Sequence, residues 1–154
     1  YLEVMMKFIS PMKVLASKRK MLRLNLNEYR NTHNRILNNA KINYKEVMKK
    51  QIEKAKRLGK ALFVYTVYPG SKRSFDIGNI CCIHEKFFED AFVELGKLED
   101  DNANFLPLVV YMYGGIDKDN PRVDIEAMEL NRESIDKVVE MMYNIVEEVN
   151  DEQI

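Results

Sequence analysis

ALFVYTVY, residues 61–68, is the stretch that decides the fold. It is a continuous apolar and aromatic run rich in β-branched residues, which reads as a buried strand. Pro69-Gly70 breaks it, and Ser71 to Ser74 form an exposed basic turn. A helix is expected from about Asn79 to Leu95, with Phe87, Phe88, Ala91, Phe92 and Leu95 on one stripe and Gly96 as its stop. Leu106 to Tyr113 is the next strand.

Downstream, Gly114 to Pro121 reads as a polar hairpin loop, and Arg122 to Met128 alternates so as to return beside the preceding strand. Asn131 caps a last helix, Arg132 to about Asn150, with Ile135, Val138, Val139, Met142, Ile145, Val146 and Val149 at three-four spacing. Upstream, Lys20 to Leu26 alternates like a half-buried strand. A helix then begins near Tyr29 to Thr32 and runs to about Leu58, before Gly59. Its apolar stripe is His33, Ile36, Leu37, Ala40, Tyr44, Val47, Met48, Ile52 and Ala55. Residues 3–9 read as a weak strand or irregular arm. The order β-α-β-α-β-β-α predicts an α+β fold, a small mixed sheet with packed helices. We expect one domain over 1–154, with an N-terminal arm at 1–19 and an extra C-terminal helix at 131–154.

A chain of 154 residues with 46% apolar content can bury a core and is not disordered. No run reaches the ~18 apolar residues of a membrane span. The only cysteines, Cys81 and Cys82, are adjacent, so a disulfide framework is excluded and a reducing cytoplasm fits. The net charge of zero conceals an asymmetry. Lys7 to Lys60 holds 16 Lys/Arg against 3 Asp/Glu, and His84 to Ile154 holds 6 against 19. The basic half reads as a surface for a polyanion, or as one solvated face of a balanced monomer. The acidic half could supply metal ligands, aid solubility or pair with the basic half of a second copy.

Asp76 falls between the strand and the following helix, where the helix N-terminus favours carboxylates and phosphates. Asn79, Cys82 and Lys86 share a helix face, and Lys86 is its only cation. Asp100-Asp101 follow the helix exit. Carboxylates drawn to one point from two chain positions are what a hard cation such as Mg²⁺ requires. Lys72-Arg73 beside Asp76 suggests a phosphodiester substrate.

The segments LNLNEYRNTHNRILNNAKINYKE, VYTVYPGSKRSFDIGN, EKFFEDAFVELGKLEDDN and GGIDKDNPRVDI together resemble the RusA-type Holliday junction resolvases, over roughly Met21 to Met128. The D-x-x-N element, the K-F-x-x-D-A helix and the D-D pair carry the likeness. The resemblance implies a phage- or prophage-encoded homodimer that cuts branched DNA at four-way junctions, with Mg²⁺ or Mn²⁺ as cofactor. It implies Asp76, Asp100 and Asp101 as catalytic metal ligands, with Lys86 assisting. The family pattern has a second Asp where this chain has Gly78, and Glu85 or His84 stand as replacement ligands. Metal-assisted phosphodiester hydrolysis is the expected mechanism, with Arg23, Arg30, Arg35, Lys41, Lys72 and Arg73 on backbone phosphates.

Other residues carry plainer readings. Cys81, Cys82 and His84 lack zinc-site spacing and read as core or boundary residues. His33 reads as a packing residue, and Tyr29 or Tyr68 as bases' stacking partners only in a minority reading. A second function class is a catalytically weakened, DNA-binding relative or one that captures a protein regulator.

Overall fold

Ala61–Tyr68 is a central strand of a four-stranded sheet, with two helices on one face and one on the other. The computed structural model describes residues 5–152, with side-chain surroundings for 5–148. In chain order the strands are β1 (Met6–Pro11), β2 (Lys13–Ser17), β3 (Lys20–Arg23), β4 (Ala61–Tyr68), β5 (Leu108–Tyr113) and β6 (Arg122–Glu129). The helices are α1 (Leu26–Arg30), α2 (Asn34–Glu53), α3 (Ile77–Glu94) and α4 (Arg132–Glu152). The fold is α+β, as the sequence predicts. Among the described residues no helix is long and apolar enough to cross a membrane.

The sheet order is β1-β6-β4-β5, and β2 and β3 form a separate hairpin. β4 and β5 run parallel through the α3 crossover, while β6 is antiparallel to β4 and β1. The expected hairpin of residues 106–113 with 122–128 is therefore absent. Alternation identifies β6 as a strand but says nothing of its neighbour. All eight β6 residues find partners on β4, from Ala61↔Glu129 to Tyr68↔Arg122, whereas β5 offers six positions.

Two upstream expectations also need correcting. Where an N-terminal arm is expected at 1–19, the described residues form a pair of strands: Phe8 and Ser10 of β1 are buried, and β2 pairs with β3. The first long helix is two helices. Thr32 Oγ1 donates to the Glu28 carbonyl, and the Asn31 side chain donates to the Asn27 carbonyl, closing α1. His33 is then the exposed N-cap of α2, its Nδ1 accepting from the Arg35 N–H at 3.2 Å, and not a packing residue. α2 ends at Glu53 rather than near Leu58.

Under α2 and α3 the core is aromatic. Phe63 lies 5.8 Å from Phe88 and 5.4 Å from Phe92, and Phe8 lies 5.1 Å from Phe88, ring centre to ring centre. Two polar insertions interrupt it. Ser10 Oγ lies 2.6 Å from Tyr44 Oη and 2.7 Å from His84 Nδ1, all within the core. Tyr65 donates to Glu89 at 2.8 Å. On the other face α4 covers Leu62, Val64, Met112 and Met128, mainly through Val138. Asn131 caps α4, its Oδ1 accepting from the Ser134 N–H at 2.9 Å while Ser134 Oγ accepts from the Asn131 N–H at 3.0 Å.

Candidate functional site

β4 delivers the chain at Tyr68 to the turn 69–75, and the turn feeds the head of α3. Asp76 is the N-cap, in extended backbone geometry and without a side-chain cap bond. The Asn79 N–H turns back to the Asp76 carbonyl at 3.1 Å, and the Ile77 and Gly78 N–H groups are left to other acceptors. The Asp76 carboxylate is exposed and meets only the Asn79 amide, at 3.4 Å. In front of it lies an open groove of about 580 Å³, whose lining includes Arg23, Asn25, Asn27, Arg73, Asp76 and Asn79. β3 supplies Arg23, and Glu28, which also lines the groove, accepts from its backbone N–H at 3.1 Å and lies 3.8 Å from its Nε through the other carboxylate oxygen. Two guanidinium groups, three amides and a helix N-terminus share this open groove with the carboxylates of Asp76 and Glu28, and the donors among them suit a phosphate oxygen.

Other candidate cations lie outside the groove lining. Lys72, Arg30 and Arg35 are exposed, and the exposed Lys86 lies 5.9 Å from the centre of the Tyr29 ring. Lys41 is different. It faces α3, 3.9 Å from Asp90 and 6.0 Å from the Phe87 ring, and so ties two helices together. Tyr68 is occupied as well, since the Arg122 guanidinium stacks on it at 4.2 Å.

The acidic pair lies elsewhere. α3 has 18 residues, which at 1.5 Å per residue is about 27 Å of helix. Asp76 precedes its head, and Asp100-Asp101 follow its tail. Lys97 and Phe105, on either side of the pair, are hydrogen-bonded to Leu58 and Ala61 at the start of β4. Asp100 accepts from the Asp101 N–H and the Asn102 amide, each at 2.8 Å, and these bonds hold its carboxyl below the usual range. Partial burial and the adjacent Asp100 push Asp101 up. Asp76, Asp100 and Asp101 are therefore not brought together in one protomer. Among the described residues no three Asp, Glu, His or Cys side chains group to hold a metal ion. Mg²⁺ is usually held by one or two carboxylates. The groove at the head of α3 offers Asp76 and Glu28, and Glu28 is already engaged by Arg23, so the implied three-aspartate site does not fit a single protomer.

The replacement ligands for Gly78 are also engaged. His84 is fully buried against Ser10, its Nε2 has no partner, and burial pulls its pKa down to about 3. Glu85 accepts from Tyr111 Oη at 2.6 Å. Cys81 is buried, with its thiol pushed up to about 12, and Cys82 is half-buried, as boundary cysteines should be. Sequence reasoning passes over Glu89, one turn beyond Glu85 on α3. Burial and the neighbouring Glu85 push its pKa up to about 8, against the lowering effect of the Tyr65 hydrogen bond. A charged residue at i+4 from Glu85, one place after the buried Phe88, is its only sequence signal.

Compared with known proteins, the chain matches no family model and no curated protein.

Proposed function

We propose that this chain binds the phosphate backbone of branched DNA through the groove at the head of α3. One observation carries the reading: Arg23, Arg73 and the uncapped first turn of α3 line the same open groove. Lys72, next to Arg73 in the chain, and the exposed Arg30 and Arg35 are further cations available to backbone phosphates under this reading. Such contacts position a duplex without reading its sequence.

Binding of a labelled synthetic four-way junction tests this. Arg23→Gln and Arg73→Gln should each weaken binding and lower the slope of log affinity against log salt by about 1. Unchanged affinity in the double variant would remove the groove from the DNA interface.

Mg²⁺-dependent cleavage of such junctions is the second reading, favoured by the Asp76 carboxylate standing exposed in that groove. The chain's own contribution would be to seat the phosphate on Arg23 and Arg73 and to hold a ligand oxygen at Asp76. A Cβ at Gly78 would meet nothing within 4 Å. Gly78→Asp therefore adds a second carboxylate within the first turn of α3 without a clash. Under the cleavage reading it should tighten Mn²⁺ binding and raise any junction cutting. Wild-type protein that binds the junction and never cuts it, with Gly78→Asp alike, leaves the binding reading alone.

A further inference from the structure

We infer that a cleft between the sheet and α4 binds a small organic cation, an ammonium or guanidinium group on a short carbon chain, with Glu126 as its buried counter-ion. The site is independent of the groove at the head of α3, since α3 packs on the other face of the sheet.

The cleft measures about 160 Å³ and lies under the second half of α4. Thr66 of β4, Met112 of β5 and Glu126 of β6 form its floor, and all three are buried. Met141, Asn144, Ile145 and Glu148 share one face of α4 and form its wall, with Asn144 and Glu148 exposed at the rim. Tyr68 closes one end, packed on Gly114 so closely that a Cβ there would strike its ring. At about 30 Å³ per molecule the space equals roughly five waters, which suits a compact ligand.

The floor holds a carboxyl that the fold leaves unmatched. Glu126 is 8% exposed, and its Oε2 is buried with no hydrogen-bond partner among the described residues. Buried polar groups are ordinarily paired, because an unmet one costs free energy. The neighbouring cations are engaged elsewhere. Lys7 stands opposite Glu126 in the β1–β6 register, yet its Nζ reaches Asp124 at 3.1 Å. Arg122 donates to Asp124 at 2.9 Å and to Asp117 at 2.8 Å. Burial, with the charge of Asp124, pushes the Glu126 carboxyl up, and Lys7 and Lys137 pull it back without pairing with it. A cation seated against it would favour the charged form outright.

The lining selects the ligand. Glu126, Glu148, the Thr66 hydroxyl and the Asn144 amide oxygen all accept hydrogen bonds, and no lysine or arginine lines the cleft, so an anion finds no counter-charge. A hard metal ion fits less well than an organic cation. Such ions take six or more oxygens, and among the described residues no three metal-ligating side chains group together. Met112, Met141 and Ile145 instead offer an apolar wall to a hydrocarbon body. A few placed polar groups on an apolar wall is the usual make-up of a small-molecule site.

Titration calorimetry of the full chain with butylammonium chloride and butylguanidinium chloride tests the assignment. At least one should bind saturably at a single site. Glu126→Gln keeps the shape, drops the charge and should weaken that binding by about tenfold or more. Glu148→Gln should weaken it less, because exposed charges are screened. Asn144→Lys, at an exposed helix position, sets a cation at the rim and should abolish binding with an unchanged circular dichroism spectrum, so the test survives a Glu126→Gln chain that fails to fold. Nα-acetyl-lysine amide, which carries the same ammonium on a peptide backbone, should bind no tighter than butylammonium. Absence of saturable binding by both butyl cations at millimolar concentration overturns the proposal and leaves Oε2 to water. Binding that survives Glu126→Gln and Asn144→Lys overturns it too, as does Mg²⁺ binding at Glu126 in place of either cation. Tighter binding of the lysine amide would overturn the assignment to a free small molecule.

Discussion

The two faces of the sheet use the same four strands and are finished differently. Beneath α2 and α3, rings from β1, β4 and α3 interlock, and Phe63, Phe88 and Phe92 are fully buried. Beneath α4 the buried set is Leu62, Val64, Met112, Met128 and Val138, with the buried polar side chains of Thr66, Asp124 and Glu126 beside it. The first face is a closed core. The second leaves much of its helix's apolar surface in water.

The largest expected effect lies on the closed face. Phe88→Ala should cost about 3–5 kcal/mol, the usual range for deleting a buried aromatic ring. At about 2–4 °C per kcal/mol for a chain of this size, thermal unfolding should fall by on the order of 10 °C. Urea titration would check it. A loss no greater than that of truncating an α4 residue would break the contrast between the faces.

Next is the pH dependence of the same face. His84 has its pKa pulled from the ordinary 6.5 to about 3 by burial. Below 6.5 the unfolded chain takes up a proton that the folded chain refuses, so stability falls as pH drops toward 3. Glu89 has its pKa raised from 4.5 to about 8. Between those values the folded chain holds a proton that the unfolded chain has lost, so its contribution falls as pH rises. The two windows overlap from 4.5 to 6.5, where the slopes oppose each other. We expect a plateau there and a decline on either side, at up to about 1.4 kcal/mol per pH unit. Glu89→Gln should abolish the alkaline decline and leave the acid one. Chemical denaturation across pH, wild type against variant, would separate them.

The sequence made parts of this legible because they are local. ALFVYTVY has strand chemistry along its whole length, and α3 ends where Gly96 takes a φ of +78°, as a C′ glycine should. Asn131 and the apolar spacing after it announce α4. What stayed hidden depends on distant partners. EVMMKFI reads weakly by itself, and its described part from Met6 on enters β1, which pairs with the antiparallel edge that β6 offers. Ser10, His84 and Tyr44 form a buried polar group only once β1, α3 and α2 are docked. The head of α3, with Asp76 at its start, was readable; the failure of Asp100-Asp101 to reach it was not. The length of α3 sets that separation, and a motif of fixed residue types leaves three-dimensional distance unspecified.

The smallest expected effect separates two neighbours on the open face. Val138 is 5% exposed against the sheet, and Val139 beside it is 42% exposed. Val138→Ala removes two buried methyl groups and should cost about 1–2 kcal/mol. In an isolated protomer Val139→Ala should stay within about 0.5 kcal/mol of wild type, as surface changes usually do. If α4 instead forms a seam with a second copy, Val139 is buried in the dimer and its truncation acts through mass action. Its cost in melting temperature should then depend on protein concentration, because association adds stability only where the partner is bound. Melting both variants over a hundredfold range of concentration distinguishes the cases. A Val138→Ala loss that is independent of concentration, beside a Val139→Ala loss that changes with it, would assign one residue to the fold and its neighbour to the partner.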